Sequence, residues 1–215
     1  MDVKLLAVLV AGIGVLASPG QSDIPGRVEA GFHVGAAASA NDHNEWGARG
    51  TGYTYYGEVG YEIFSWLVAP TFAFGYSYAN GEPSPGEEQG HRQPPTGVRA
   101  ESNDYYLGLR TRLAFGKMRF RPYAGAGFYW TEYHRELKAQ DYVLEDHAAG
   151  GRGYGFAAGL EYFPDPSAGF AFRLGYRFAA AAATWRQPPP KTPGFDAAFT
   201  LTQNLVTLGV TIYAL

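Results

Sequence analysis

A cysteine-free chain of 215 residues is the length of a single domain and excludes both a disulfide framework and a thiolate metal site. Its formal net charge of -3 argues against nucleic acid as a partner. With Tyr 16, Phe 14 and Gly 29 beside a charged fraction of 17%, it suits an aromatic-rich sheet better than a helical bundle. Residues 1–22 read as a secretory signal peptide. Lys4 and the amino terminus supply the positive region, residues 5–16 form an unbroken apolar run, and Val15-Leu16-Ala17 allows cleavage after Ala17, with Gly20 as the alternative. The run is shorter than the roughly 20 apolar residues that a membrane helix needs, so export is expected, with residues 23–215 as the mature domain.

Eight segments follow in which side chains alternate between an apolar and a polar face, the period of two that marks a strand. Residues 27–39 place Val28, Ala30, Phe32, Val34 and Ala36 opposite Arg27, Glu29, Gly31, His33 and Gly35. Residues 51–63 place Tyr53, Tyr55, Val59, Tyr61 and Ile63 opposite Thr54, Tyr56, Glu58, Gly60 and Glu62. Residues 68–78 set Phe72, Phe74, Tyr76 and Tyr78 against Thr71, Ala73, Gly75 and Ser77. Residues 103–115 set Tyr105, Leu107, Leu109 and Leu113 against Asp104, Tyr106, Gly108, Arg110 and Arg112. The pattern returns in residues 119–131 (Phe120, Ala124, Phe128 and Trp130 against Arg121, Tyr123, Gly125 and Gly127) and in residues 154–162 (Phe156 and Leu160 against Gly159 and Glu161). Residues 170–178 oppose Phe172, Leu174 and Tyr176 to Arg173, Gly175 and Arg177, and the last segment starts near residue 199 and runs to residue 215. Short turns at residues 64–67, 116–118 and 163–168 alternate with long polar connections at residues 39–50, 79–102, 132–153 and 179–196. Short turns at one rim and long loops at the other predict an all-β, eight-stranded antiparallel up-and-down barrel (a meander) spanning an outer membrane.

A soluble barrel would carry the same alternation with its aromatic face turned inward around a ligand. Two features argue for lipid outside. The only lysines are Lys4, Lys117, Lys138 and Lys191, and none falls inside a predicted strand, whereas solvated faces use lysine freely. The polar face is also rich in glycine, which makes room in a narrow lumen but only weakens a solvated strand. Trp66 and Trp130 fit aromatic girdles at opposite rims.

Arg121-Pro122-Tyr123-Ala124-Gly125-Ala126-Gly127 resembles a Pro-Tyr-x-Gly-x-Gly strand of small outer-membrane barrels of the OmpA and opacity-protein type. Leu208-Gly209-Val210-Thr211-Ile212 is similar to their final strand. The resemblance covers nearly the whole mature chain. It implies that Leu208, Gly209, Val210, Ile212, Tyr213 and Leu215 form the signal read by the barrel-assembly machinery, and that outer-membrane lipid surrounds the protein. The chain departs from that family in ending at Leu215 rather than phenylalanine, and it shows no C-terminal peptidoglycan-binding domain.

The candidate site is the lumen. Arg27, Glu29, Glu58, Glu62, Asp104, Arg110, Arg112, Arg119, Arg121, Glu161, Arg173 and Arg177 are expected to face inward, with His33 nearby. Because eight strands enclose a space that side chains nearly fill, these groups are expected to pair and plug the barrel. No catalytic set is recognised. Lipid A deacylases of the PagL type use His-x-Ser, and no histidine here has a serine two positions on. Asp42-His43 and Asp146-His147 lie in expected loops, as adjacent Asp-His pairs on solvated surface commonly do, and omptin-type proteases need ten strands. Asp141, Glu145 and Asp146 match no calcium-loop spacing, and no metal or cofactor is expected. Trp46 and Trp185, placed in loops, are candidates for contact with an extracellular ligand. The expected role is structural or surface-interacting, the alternative is a narrow channel, and a small outer-membrane hydrolase comes third.

Overall fold

The structure, a computed structural model, describes residues 27–41, 50–64, 66–81, 94–113, 118–140, 142–165, 169–186 and 198–214. The expected signal peptide, Trp46, Asp42-His43, Asp141 and Leu215 lie outside these described residues. Eight strands run in chain order as β1 (Arg27–Asn41), β2 (Gly50–Phe64), β3 (Leu67–Gly81), β4 (Gly97–Arg112), β5 (Phe120–Ala139), β6 (Tyr142–Tyr162), β7 (Phe170–Trp185) and β8 (Ala198–Ala214). Each pairs antiparallel with its neighbour, and β8 closes on β1 from Val28↔Ala214 to Asn41↔Leu201. Closure leaves no strand edge within the apolar band, the condition for a sheet in lipid.

The alternation read from the sequence is the alternation of the wall. Val34, Tyr53, Leu109, Phe128, Phe156, Leu174 and Leu208 are exposed on the outside, while Glu29, Glu62, Arg110, Arg112, Arg121, Glu161 and Arg173 are buried within. Arg119 departs from the expectation: it precedes β5 in the turn and is exposed, because the alternation starts only where the ladder does. Inward glycines let the wall curve tightly. A Cβ on Gly35 would run into the carbonyl of Val206, and one on Gly209 into the His33 ring.

The long connections are shorter than expected. Residues 132–139 and 142–153 form the ends of β5 and β6, which are 20 and 21 residues long, with Gln140 at φ 55 just after β5. β7 continues through an alanine run to Trp185, and β4 already begins at Gly97. Lys138 therefore lies inside a strand, paired in register with Gly97. The reason is a reversal of polarity. Outward residues of β5 are apolar from Phe120 to Trp130 and then become Glu132, His134, Glu136 and Lys138. At about 3.3 Å per residue and about 40° of tilt, the run from Phe120 to Trp130 rises about 25 Å, the height of an apolar band in a bilayer. Above it the wall stands in water, so its outer face is polar, while Tyr133 and Leu137 turn inward on β5.

Candidate functional site

In the half of the lumen nearer the short turns, strand parity aims charges from five strands at one another. Arg112 reaches Glu29 at 2.5 Å, Glu62 at 3.5 Å and Glu161 at 3.6 Å. Arg173 reaches Glu58 at 2.6 Å and Glu161 at 2.7 Å, Arg177 reaches Glu58 at 3.4 Å, and Arg110 pairs with Glu29 and Glu58. Arg110, Arg112, Arg173 and Arg177 thus balance Glu29, Glu58, Glu62 and Glu161. In a medium of low polarity that balance matters, because each charge held without a partner costs several kcal/mol, roughly. Aromatic rings take up the remaining faces of the guanidinium groups. Arg177 lies 4.3 Å from the centroid of Tyr56 and 4.9 Å from that of Tyr106, while Arg173 lies over Tyr123 at 5.2 Å. His33 stacks on Tyr56 with centroids 4.4 Å apart.

Arg27 and Arg121 are buried at the short-turn end. Arg121 donates from Nε to the Met118 carbonyl at 3.4 Å and stacks over Phe163 at 4.4 Å. Tyr213 turns inward beside that ring, at 5.5 Å between centroids. Leu208 and Val210 face outward, with 58% and 38% exposure, Ile212 shares their face half-buried, and Gly209 meets His33 inside.

Asp104 stands apart from the arginines: no cation of the described residues lies within ion-pair distance. It sits instead in a cage of neutral donors. Its carboxylate accepts from the Tyr129 hydroxyl at 2.5 Å, Thr131 at 2.8 Å, Ser102 at 3.0 Å, Ser77 at 3.2 Å and the Gln203 amide at 3.4 Å. The sequence groups Asp104 with the charges and does not show these donors, since all but Ser102 come from three other strands, β3, β5 and β8, and carry no local pattern.

Beyond the cage the lumen is closed by Val98, Tyr133, Leu137, Trp185, Phe199 and Leu201 in one apolar cluster. Trp185 is therefore not a loop anchor. It is 6% exposed and stacks on Phe199 with centroids 4.7 Å apart, because β7 runs on past the membrane and keeps its inward parity there. Arg135 is buried in this outer part, and burial lowers its pKa to about 10 against the opposing pull of Glu145. It stays charged at neutral pH. Of the described cavities, one lined by Tyr56, Arg110 and Arg177 and one lined by Tyr133 and Gln203 are each about 10 Å³, space for about one water molecule, while two larger clefts lie at Phe32 and Leu208 and at Trp66 and Arg112. Asp146 and His147 point to opposite faces of β6. Asp146 pairs outside with His134, while His147 Nε2 meets Glu145 at 3.1 Å and lies against Trp185.

A closed eight-stranded ring with an apolar exterior band, aromatic margins and a charged interior defines an integral outer-membrane β-barrel. Residues 5–211 match the outer membrane protein beta-barrel domain, and the chain belongs to that family. It is similar in fold to outer membrane protein AlkL, solved by solid-state NMR in DMPC lipid bilayers (16% identity, 89% of this chain and 92% of that chain, TM-score 0.52). It is likewise similar to Neisserial surface protein A, NspA (16% identity, 86% of this chain and 96% of that chain, TM-score 0.50). No curated protein sequence matches the chain. The protein resides in the outer membrane, surrounded by its lipid.

Proposed function

We propose that this barrel is a non-conducting scaffold, and that the part of the wall standing in water, with its connecting loops, makes contacts at the cell surface. The observation that carries this reading is the stack inside the lumen. The Arg–Glu cluster, the Asp104 cage and the Trp185–Phe199–Tyr133 cluster follow one another and leave described cavities of about 10 Å³. Work on an external partner then falls to the loops and strand ends, which a rigid scaffold positions. The channel reading rests on the same charged lumen, but it requires the apolar cluster to leave its packing. A hydrolase would need a third group beside the His134–Asp146 pair on the outer face, and parity turns the neighbouring His147 to the inner face.

A graft tests the reading. With residues 132–150 replaced by a short turn at the level of Trp130, the barrel should still insert and still show heat-modifiable mobility. Cells carrying it should lose attachment to surfaces or matrix that the wild type supports. Equal attachment by both proteins, at equal outer-membrane levels, would contradict the assignment to the outer wall.

A further inference from the structure

We propose that Arg152 is a binding site for the phosphate of a lipid headgroup in the outer leaflet. Arg152 lies on the outer face of β6, in register with Trp130 of β5 and Ala182 of β7. Its row on the wall is Tyr105, Trp130, Arg152 and Ala182, with Tyr105 and Trp130 stacked at 5.9 Å. Where β4 and β5 place the rings of the aromatic girdle, β6 places a guanidinium. That row is the upper margin of the apolar band, the depth at which headgroup phosphates meet the wall.

The other outward cations of the described outer wall are already matched. Arg99 pairs with Glu101 and Glu136, Lys138 with Glu136 at 3.0 Å, and Arg186 with Glu132 at 3.0 Å. The acid one row further out from Arg152 is Glu132, and it is the partner of Arg186. Among the described residues no carboxylate lies within 4.0 Å of Arg152, which is exposed. The ground around it is open. A Cβ on Gly150 would meet nothing within 4 Å, and Ala148, Ala180 and Ala182 are the outward neighbours on β6 and β7. Tyr154, 64% exposed, stands one step toward the bilayer core and offers a wall for the acyl chain below the phosphate. A planar guanidinium with several donors in fixed directions matches a phosphate better than an ammonium would. An unpaired charge at the edge of hydrocarbon gains most from such a partner.

The test uses the full barrel in detergent, titrated with phosphatidic acid, with diacylglycerol of the same chains, and with inorganic phosphate. Bound lipid is counted by native mass spectrometry. Phosphatidic acid should bind the wild type about fivefold more tightly than diacylglycerol, the scale of one basic residue near an anionic lipid surface. That preference should disappear in Arg152→Ala and Arg152→Gln and persist in Arg186→Ala, with heat-modifiable mobility confirming that every variant is folded. An unchanged preference in both Arg152 variants would overturn the proposal. So would displacement of the lipid by an equal concentration of inorganic phosphate, which would assign the site to a free anion.

Discussion

Leu208→Arg and Val210→Arg are each expected to destabilise the inserted barrel by about 2–4 kcal/mol, the cost of an arginine on the lipid face near the midplane. Both side chains face outward on β8, opposite Val34 and Phe32 across the β1–β8 closure. The outward apolar run of β8 extends from Val206 to Ala214, so Val210 lies at its centre and Leu208 one step outward. An arginine at the closing seam must therefore carry its charge into hydrocarbon or draw water into the band. Urea unfolding in lipid vesicles, followed by loss of heat-modifiable mobility on gels, measures the effect. Thr207→Ala, on the inner face where Thr207 is buried, should leave the lipid contact unchanged and serves as the parity control. Equal stability of the Arg variants and the wild type would refute the face assignment.

The second large effect is expected inside. Glu161→Ala should cost about 3–5 kcal/mol, because it strands buried arginines without their partner. Glu161 is 0% exposed and holds Arg173 at 2.7 Å and Arg112 at 3.6 Å. The loss upsets the balance of the cluster, and Arg110, Arg112, Arg173 and Arg177 are then left to share Glu29, Glu58 and Glu62. Replacing Glu161 and Arg173 together by apolar residues should be less damaging than the single change, because the charge balance returns. The same unfolding assay reads both. A single variant as stable as wild type would mean that the cluster is solvated rather than sealed.

These two expectations rest on features that were legible in the sequence to different degrees. Strand parity was written plainly wherever lipid is outside, because Phe172, Leu174 and Tyr176 alternate with Arg173, Gly175 and Arg177, and the barrel confirms that parity in every strand. Inward aim followed for Glu29, Glu58, Arg110, Arg112, Glu161 and Arg173. Which arginine meets which glutamate did not follow, since partners such as Arg112 and Glu29 are set by the closure of β1 on β8 and the tilt of the whole wall. The outer wall reads as loop in the sequence, and is strand, for a physical reason. Above Trp130 the solvent changes, so His134, Glu136 and Lys138 point out while Tyr133 and Leu137 point in, and a search for apolar outer faces stops at the membrane margin. The run Ala179–Ala183 hid the end of β7 in another way: alanine fits both faces and shows no alternation. Trp185 was misplaced with it. The Asp104 cage was invisible because its donors come from β3, β4, β5 and β8 and converge only when the ring closes.

Whether the lumen conducts is read by planar-bilayer recording on the purified barrel. On the proposed non-conducting reading, the ion pairs and the Trp185–Phe199 stack interrupt the aqueous path, so the steady conductance of the wild type should be negligible at modest voltages. A stable, ion-selective conductance in the wild type, abolished by Arg110→Ala or Glu58→Ala, would contradict the account and make the charged lumen the working part of the protein.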